Sequence, residues 1–493
     1  MAPRVIIIGA GPAGVRAAAA LVDAGVRPLL IDESRRDGGQ IYRRQPESFT
    51  RSYAELYGTE AGRAQDLHGT FEALRDRIDY LPETLVWNIS DGEVHLQQGT
   101  RYSRRPFDAL LVCSGATDRL MPVPGWQLAG AYSLGGAQIA LKAQACAIGS
   151  RVVLMGTGPL LYLVAAQYVK AGAQVAAVLD TSTLMQRLRA LPRLLAAPAA
   201  VRKGMALIKV LRRAGVLLKR GVTPLEIEGS AQTGVTGVLV DIGAARPLAI
   251  ACDAVALGYH LRPETQLADL AGCTFEFDQE FGQWLPMIDT DGRSSVSGVY
   301  LAGDGARVRG ADAAECAGRL AALAILHDFA LTAPADEIAR LRRELARLER
   351  FAAGLRTAFP WPAKLAATLP DRTIVCRCES ITAGELRRVV RDTGAIEANR
   401  AKAFSRVGMG RCQGRFCGQA GAEVIAAAAH VPLETVGRLR GQAPVKPLPL
   451  ALKVNDELTD ALTDALTHER HHEAGPEAES RAINRSVDQE YYK

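Results

Sequence analysis

A short apolar run, Arg4 to Ile8, passes straight into Gly9-Ala10-Gly11-Pro12-Ala13-Gly14, and this junction constrains the chain more than any other feature. The run is rich in β-branched residues, the pattern of a strand buried on both faces of a parallel sheet. After the glycines, Ala17, Ala20, Leu21 and Ala24 keep helical spacing, and Gly25 ends the helix. Pro28 to Ile31 reads as a second strand, which ends in Asp32 and Glu33. Strand, glycine turn, helix, strand and acid in that order predict an α/β fold with a dinucleotide-binding unit. Gly9 makes the tight turn, Gly11 lets backbone approach a pyrophosphate, and Gly14 lets helix and strand pack closely. Pro12 and Ala13 complete the turn. The helix N-terminus offers unpaired N–H groups and a positive dipole end to phosphate. Asp32, with Glu33 as its neighbouring candidate, stands where a carboxylate accepts ribose hydroxyls. A lone glycine pattern would be weak, but here the required context is complete.

The arrangement recurs. Arg151 to Met155 leads into Gly156-Thr157-Gly158-Pro159-Leu160-Leu161, a helix runs to about Lys170, and Val175 to Leu179 ends at Asp180. The third glycine position is Leu161, whose bulk should push the helix away from the strand or fill the crevice. The expectation is a retained fold with a lost or altered ligand. Between Thr181 and Leu225 there are many Arg and Lys and no Asp or Glu, with Leu and Ala at roughly helical spacing. Such a face suits a solvated surface, a partner subunit or an anionic membrane surface.

Two distant segments favour FAD over NAD at the first site: "FDALLVCSGA", Phe107 to Ala116, and "GVYLAGDG", Gly298 to Gly305. Both resemble the segments that complete the FAD site in two-dinucleotide-binding-domain flavoproteins. The resemblance implies that Asp304 holds the ribityl chain or the adjoining phosphate. Gly115, Gly303 and Gly305 would let backbone come close. "GGQIYR" resembles the loop against the flavin ring, which brings in Gly39, Gln40 and Arg43. No redox Cys-x-x-Cys lies near either nucleotide unit, which argues against a disulfide reductase mechanism.

Of the nine cysteines, Cys113, Cys146, Cys252, Cys273 and Cys316 are scattered among apolar or small neighbours and read as buried structural thiols. The other four form two close pairs, Cys376-Arg377-Cys378 and, within "GMGRCQGRFCG", Cys412 and Cys417. Four thiolates suit a 2Fe–2S cluster, with each pair holding one iron. Gly408, Gly410, Gly414 and Gly418 leave backbone N–H groups free to point at sulphur. With Arg377, Arg411 and Arg415 these would raise the cluster potential. Structural zinc is the competing reading, but zinc pairs are usually spaced by two to four residues, and Cys376-x-Cys378 has one between.

This cysteine pattern resembles bacterioferritin-associated ferredoxin domains, which usually close with Cys-x-x-Cys. The longer Cys412-to-Cys417 spacing is similar to the α subunits of bacterial opine oxidases, hydrogen cyanide synthase and D-hydroxyproline dehydrogenase. "IDE", "GGQIYR", Pro124-Gly125-Trp126, Gly135 to Gln138 and "GVYLAGDGA" fit the same group, over Arg4 to about Pro449. The resemblance implies an electron-transfer subunit carrying FAD and a 2Fe–2S cluster. A β subunit resembling D-amino-acid and glycine oxidases would oxidise an amine, opine or imino acid at its own flavin, and a small third subunit is a further candidate partner. A stand-alone NAD(P)H-dependent reductase using Gly156, Gly158 and Asp180 is the alternative.

At roughly 150 residues per domain, 493 residues suggest about three domains. The expected fold is a two-dinucleotide-binding-domain flavoprotein with a small C-terminal iron–sulphur domain. Its FAD domain takes residues 1–124 and 285–329, and the second nucleotide-like domain takes 125–284. A helical connector spans 330–370, the cluster domain 371–443, and a proline-rich exit and disordered tail 444–493. Within the tail, a short helix from Leu458 to Leu466 and a tract of His468, His471 and His472 stand out, the latter as a solvated run rather than a metal site. The net charge of +6 is too small to argue for nucleic acid. No stretch free of charge has the length to span a bilayer, and a strand begins too early for a signal peptide. The expected location is cytoplasmic, with association to the cytoplasmic face of a membrane as the further alternative.

Overall fold

The computed structural model describes residues 3–449 and 453–454. The tail helix and histidine tract lie outside the described residues. Among those described, no helix is long and apolar enough to cross a membrane.

The first sheet is parallel, in the order Val299–Leu301, Ala109–Val112, Val5–Ile8, Leu29–Ile31, Asp79–Leu81. Val5–Ile8 and Ala109–Val112 are buried throughout. Helices Pro12–Asp23 and Ala311–Asp328 pack together on one face. Their approach depends on Gly318, where an added Cβ would lie 2.0 Å from the Ala13 carbonyl oxygen. On the other face Ile6, Ile8, Ile31, Leu110 and Val112 pack with Leu267, Ala268 and Cys273. A fully buried Val, Leu or Ile contributes about 1.5–3 kcal/mol, so this layer is a substantial part of the domain core.

The second sheet repeats the plan with Leu217–Arg220, Gln174–Asp180, Arg151–Thr157, Ala254–Tyr259 and Ala131–Ser133, again parallel. The chain leaves and re-enters the FAD domain along an antiparallel pair, Ala116–Asp118 with Leu261–Pro263. The boundary expected at residue 285 therefore differs from the structure. It would cut the hairpin of Phe275–Asp278 with Gln283–Pro286, and residues 267–273 already pack on the first sheet.

The connector helix, Ala335–Ala358, is more than a spacer. It buries Leu341, Leu348, Ala352 and Ala353 and packs against both Ala311–Asp328 and Leu184–Leu194. The cluster domain contains a two-stranded ribbon, Ile374–Cys376 with Ile381–Thr382, and helices Ala383–Thr393, Ala398–Ser405 and Gly418–Ala429. Its Val375, Leu386, Val407 and Val424 share one core with Leu120, Met121, Trp126 and Leu257 of the second nucleotide unit. One expectation for the scattered thiols fails: Cys146 is exposed, beyond the end of helix Leu134–Ala143, while the other four are buried.

Candidate functional site

The first glycine turn is built as a cradle. Gly9 has φ +106°, and a Cβ there would lie 2.3 Å from the Cys113 carbonyl oxygen. At Gly14 a Cβ would come within 1.8 Å of the Gly9 oxygen. Gly11 caps helix Pro12–Asp23 with no side-chain hydrogen bond, and the first turn holds no acid, so its N–H groups face an incoming anion. The Gly38–Arg43 loop docks onto the turn, since Gly38 N–H donates to the Ala10 carbonyl at 2.9 Å. At Gly39, with φ +60°, a Cβ would stand 2.9 Å from the Gly11 Cα.

The two neighbouring acids separate. Asp32 accepts from Ala10 N–H and Ser34 N–H, both at 2.6 Å. Burial pushes its carboxyl up, with Ser34 and Ala10 opposing. Glu33 is exposed and pairs with Lys446, because successive side chains of an extended segment point to opposite sides. Glu33 is thus turned away from the turn on which Asp32 sits. Gln40 is exposed and accepts from Arg43 at 3.0 Å, while Arg43 Nε is buried with no partner among the described residues.

Asp304 stands across the cradle. Its Oδ1 takes Arg309 N–H at 2.8 Å and Gly310 N–H at 3.0 Å, and burial raises its pKa. No described residue donates to Oδ2. Gly303 packs against Ala13, and Gly115 at φ +71° faces open space. Glycine cradle, uncapped helix and inward-facing carboxylates together fit a flavin dinucleotide.

The four paired cysteines converge. Cys378, Cys412 and Cys417 line a cavity of about 110 Å³ with Trp126, Arg377 and Phe416. Cys376 and Cys417 are buried, and Cys417 neighbours both Cys376 and Cys412. That contact, with N–H groups of Gly408, Glu379 and Cys378, lowers the Cys376 thiol to about 6. Cys417, with Phe416 and Gly414 N–H, lowers Cys412 to about 5. Trp126 anchors the ribbon, its Nε1 donating to the Ile374 carbonyl at 2.6 Å. Among the described residues no set of three or more His, Cys, Asp or Glu side chains is arranged around a single metal ion. Two thiol pairs lined with amide donors fit a two-iron cluster.

Residues 3–320 match the pyridine nucleotide-disulphide oxidoreductases, and residues 374–427 match the BFD-like [2Fe-2S] binding domain. The opine oxidase A subunit of Rhizobium meliloti is 38% identical over 467 residues, covering 91% of this chain and 86% of that protein. Hydrogen cyanide synthase subunit HcnB of Pseudomonas aeruginosa is 32% identical, covering 91% and 97%. The chain belongs to the pyridine nucleotide-disulphide oxidoreductases, in the group of the opine oxidase A subunits. It is an oxidoreductase whose cofactors are FAD and a 2Fe–2S cluster. L-proline dehydrogenase from P. horikoshii shares the fold, with a TM-score of 0.66 at 19% identity over 92% of this chain and 79% of that one.

Within this oxidoreductase family plan, the second nucleotide unit is altered. Leu161 is fully buried. Asp180 is consumed by the protein itself, accepting from Thr157 Oγ1 at 2.8 Å, Tyr162 OH at 2.8 Å, Ser182 N–H at 2.7 Å and Arg187 at 2.5 Å. Phe359, just past the connector helix, lies 4.9 Å from the Arg187 guanidinium, and its carbonyl accepts from His260 Nε2 at 2.7 Å. Burial holds His260 down to about 4, hence neutral. The sequence put Arg187 on a basic outer face, but it points inward to Asp180, and Lys203 pairs with Glu60. Arg189, Arg193, Arg202, Lys209, Arg212, Arg213 and Arg220 stay exposed, and with them an apolar stripe of Leu184, Leu188, Leu191 and Leu195, each at least 45% exposed. Sequence reasoning missed Arg262, Glu264 and Gln266, which join the FAD and cluster regions. Only their partners across the fold give these common polar residues a role.

Proposed function

We propose that this chain is the electron-transfer subunit of a heteromeric amine, opine or imino-acid dehydrogenase. Its cluster and FAD carry electrons from a partner's flavin to a respiratory acceptor. FAD at Gly9, Gly11, Gly14, Asp32 and Asp304 supplies two-electron storage, and a cluster on Cys376, Cys378, Cys412 and Cys417 supplies a one-electron step. The protein's part is to fix both groups in one rigid body and shield them from water.

The observation that carries this reading is the fate of Asp180. With four internal donors on a fully buried carboxylate, no oxygen is left for a nicotinamide ribose, so a hydride source within this chain is unsupported. The relatives named as subunits of opine oxidase and hydrogen cyanide synthase support a partner that holds the substrate site. A β subunit resembling D-amino-acid and glycine oxidases fits that role. The exposed leucine stripe, with Arg189 and Arg202 nearby, is the surface we assign to the partner; an anionic membrane is its competitor.

The test is expression of this chain alone and with its genomic neighbours, followed by amine-dependent dye reduction with opines, D-hydroxyproline, proline and glycine. Activity on co-expression only is expected. Full amine oxidation by this chain alone would overturn the proposal.

A further inference from the structure

One short segment runs between the flavin turn and the cluster loop. Glu264 N–H donates to the Gly115 carbonyl at 3.0 Å, and its own carbonyl accepts from Ser114 Oγ at 2.6 Å. The side chains face the other way. Glu264 accepts from Arg415 Nε at 2.8 Å, Arg262 Nη1 donates to the Arg415 carbonyl at 2.8 Å, and Gln266 donates to the Gln413 carbonyl at 2.6 Å. Gln413 and Arg415 lie between Cys412 and Cys417, and Gly115 lies in the turn that closes the flavin strand. Residues 262–266 therefore hold the cluster loop on the FAD domain.

The charges along this segment do not balance locally. Arg415 and Glu264 form a largely buried pair, so the Arg415 charge, which the sequence suggested as an influence on the cluster, is offset. Arg262 has no carboxylate within salt-bridge reach among the described residues. It lines one cavity with Gln413, Gly414 and Gly418, and its Nη1 holds the Arg415 carbonyl, so it stands against the loop between Cys412 and Cys417 while Glu264 is already engaged. A half-buried cation without an acid is costly unless an anion stands nearby. The anions available here are the thiolates of the cluster loop.

We propose that Arg262, supplied by the FAD–nucleotide crossover rather than by the cluster domain, sets the cluster potential. Glu264 is the counter-charge that removes Arg415 from the balance. Each electron added makes the cluster one charge more negative, and a fixed cation beside it favours that form. This inference rests on Cys376, Cys378, Cys412 and Cys417 ligating the cluster.

The test is an EPR-monitored dithionite titration of the full chain carrying FAD and cluster. Arg262→Gln keeps a donor for the Arg415 carbonyl and removes the charge. It should make the cluster about tenfold harder to reduce, ~59 mV more negative for a one-electron couple. Glu264→Gln frees the Arg415 charge and should shift the potential in the opposite direction. An unshifted potential with full signal in Arg262→Gln would overturn the inference alone. If Arg262→Gln does not hold a cluster, Glu264→Gln decides: an upward shift supports the inference, and none or a downward one refutes it. Absence of the reduced-cluster signal from the unmodified chain would overturn the ligand set, and the inference with it.

Discussion

Asp32 and Glu33 are adjacent in sequence, yet only Asp32 contacts the glycine turn. A lost hydrogen bond to a charged group costs about 1.5–3 kcal/mol, roughly 10- to 100-fold in affinity. Asp32→Ala should weaken FAD binding by that factor in a flavin-fluorescence titration, and Glu33→Gln should leave it unchanged. Cys412→Ser should lose iron and acid-labile sulphide, each expected near two per chain in the parent because that is the cluster's composition. His260 makes the pH dependence specific. Its folded pKa of about 4 lies below the ordinary 6.5, so the unfolded chain binds the extra proton. Stability contributed by neutral His260 is full above pH 6.5 and is lost as pH falls toward 4. The slope approaches about 1.4 kcal/mol per pH unit. Thermal unfolding at pH 7 and pH 5 should show a fall in Tm that shrinks in His260→Gln.

Among elements, the two helices over the first glycine turn set the tightest tolerance. A Cβ on Gly318 would meet the Ala13 oxygen at 2.0 Å, forcing helix Ala311–Asp328 away from helix Pro12–Asp23. Overpacking of this kind costs about 1–3 kcal/mol. Gly318→Ala should lower Tm in calorimetry and release FAD at a lower temperature than the parent; an unchanged profile would mean the helices can part freely. Both glycine turns, their strands and the acids that end them were legible in the sequence, because a buried parallel strand leaves an unbroken apolar run and a phosphate turn needs glycine. The resumption of the FAD domain near Glu264 was not legible. Leu267, Ala268 and Cys273 are too few to show a period, and only the sheet they cover reveals their side. The connector helix is rich in Arg and Glu, and its buried Leu341 and Leu348 show why charge on one face says little about the other.

At the scale of the molecule, the cluster domain and the second nucleotide unit share one core, and residues 262–266 fasten the cluster loop to the flavin turn. The convergence of the paired cysteines was readable from their close spacing in the chain. The fastening was not, since it joins positions about 150 apart in the chain through ordinary charged side chains. Leu161 announced the altered second unit, but the closure of Asp180 depends on Tyr162 and Arg187 pointing inward, which no pattern records. In the proposed function, electrons enter from a partner and not from a nicotinamide nucleotide. The direct measurement is anaerobic stopped-flow absorbance of the flavin and cluster bands, for the purified chain alone and for its co-purified complex. The chain alone should not be bleached by NADH or NADPH, and the complex should be bleached by its amine substrate. Rapid bleaching of the isolated chain by either nucleotide would contradict the proposed function.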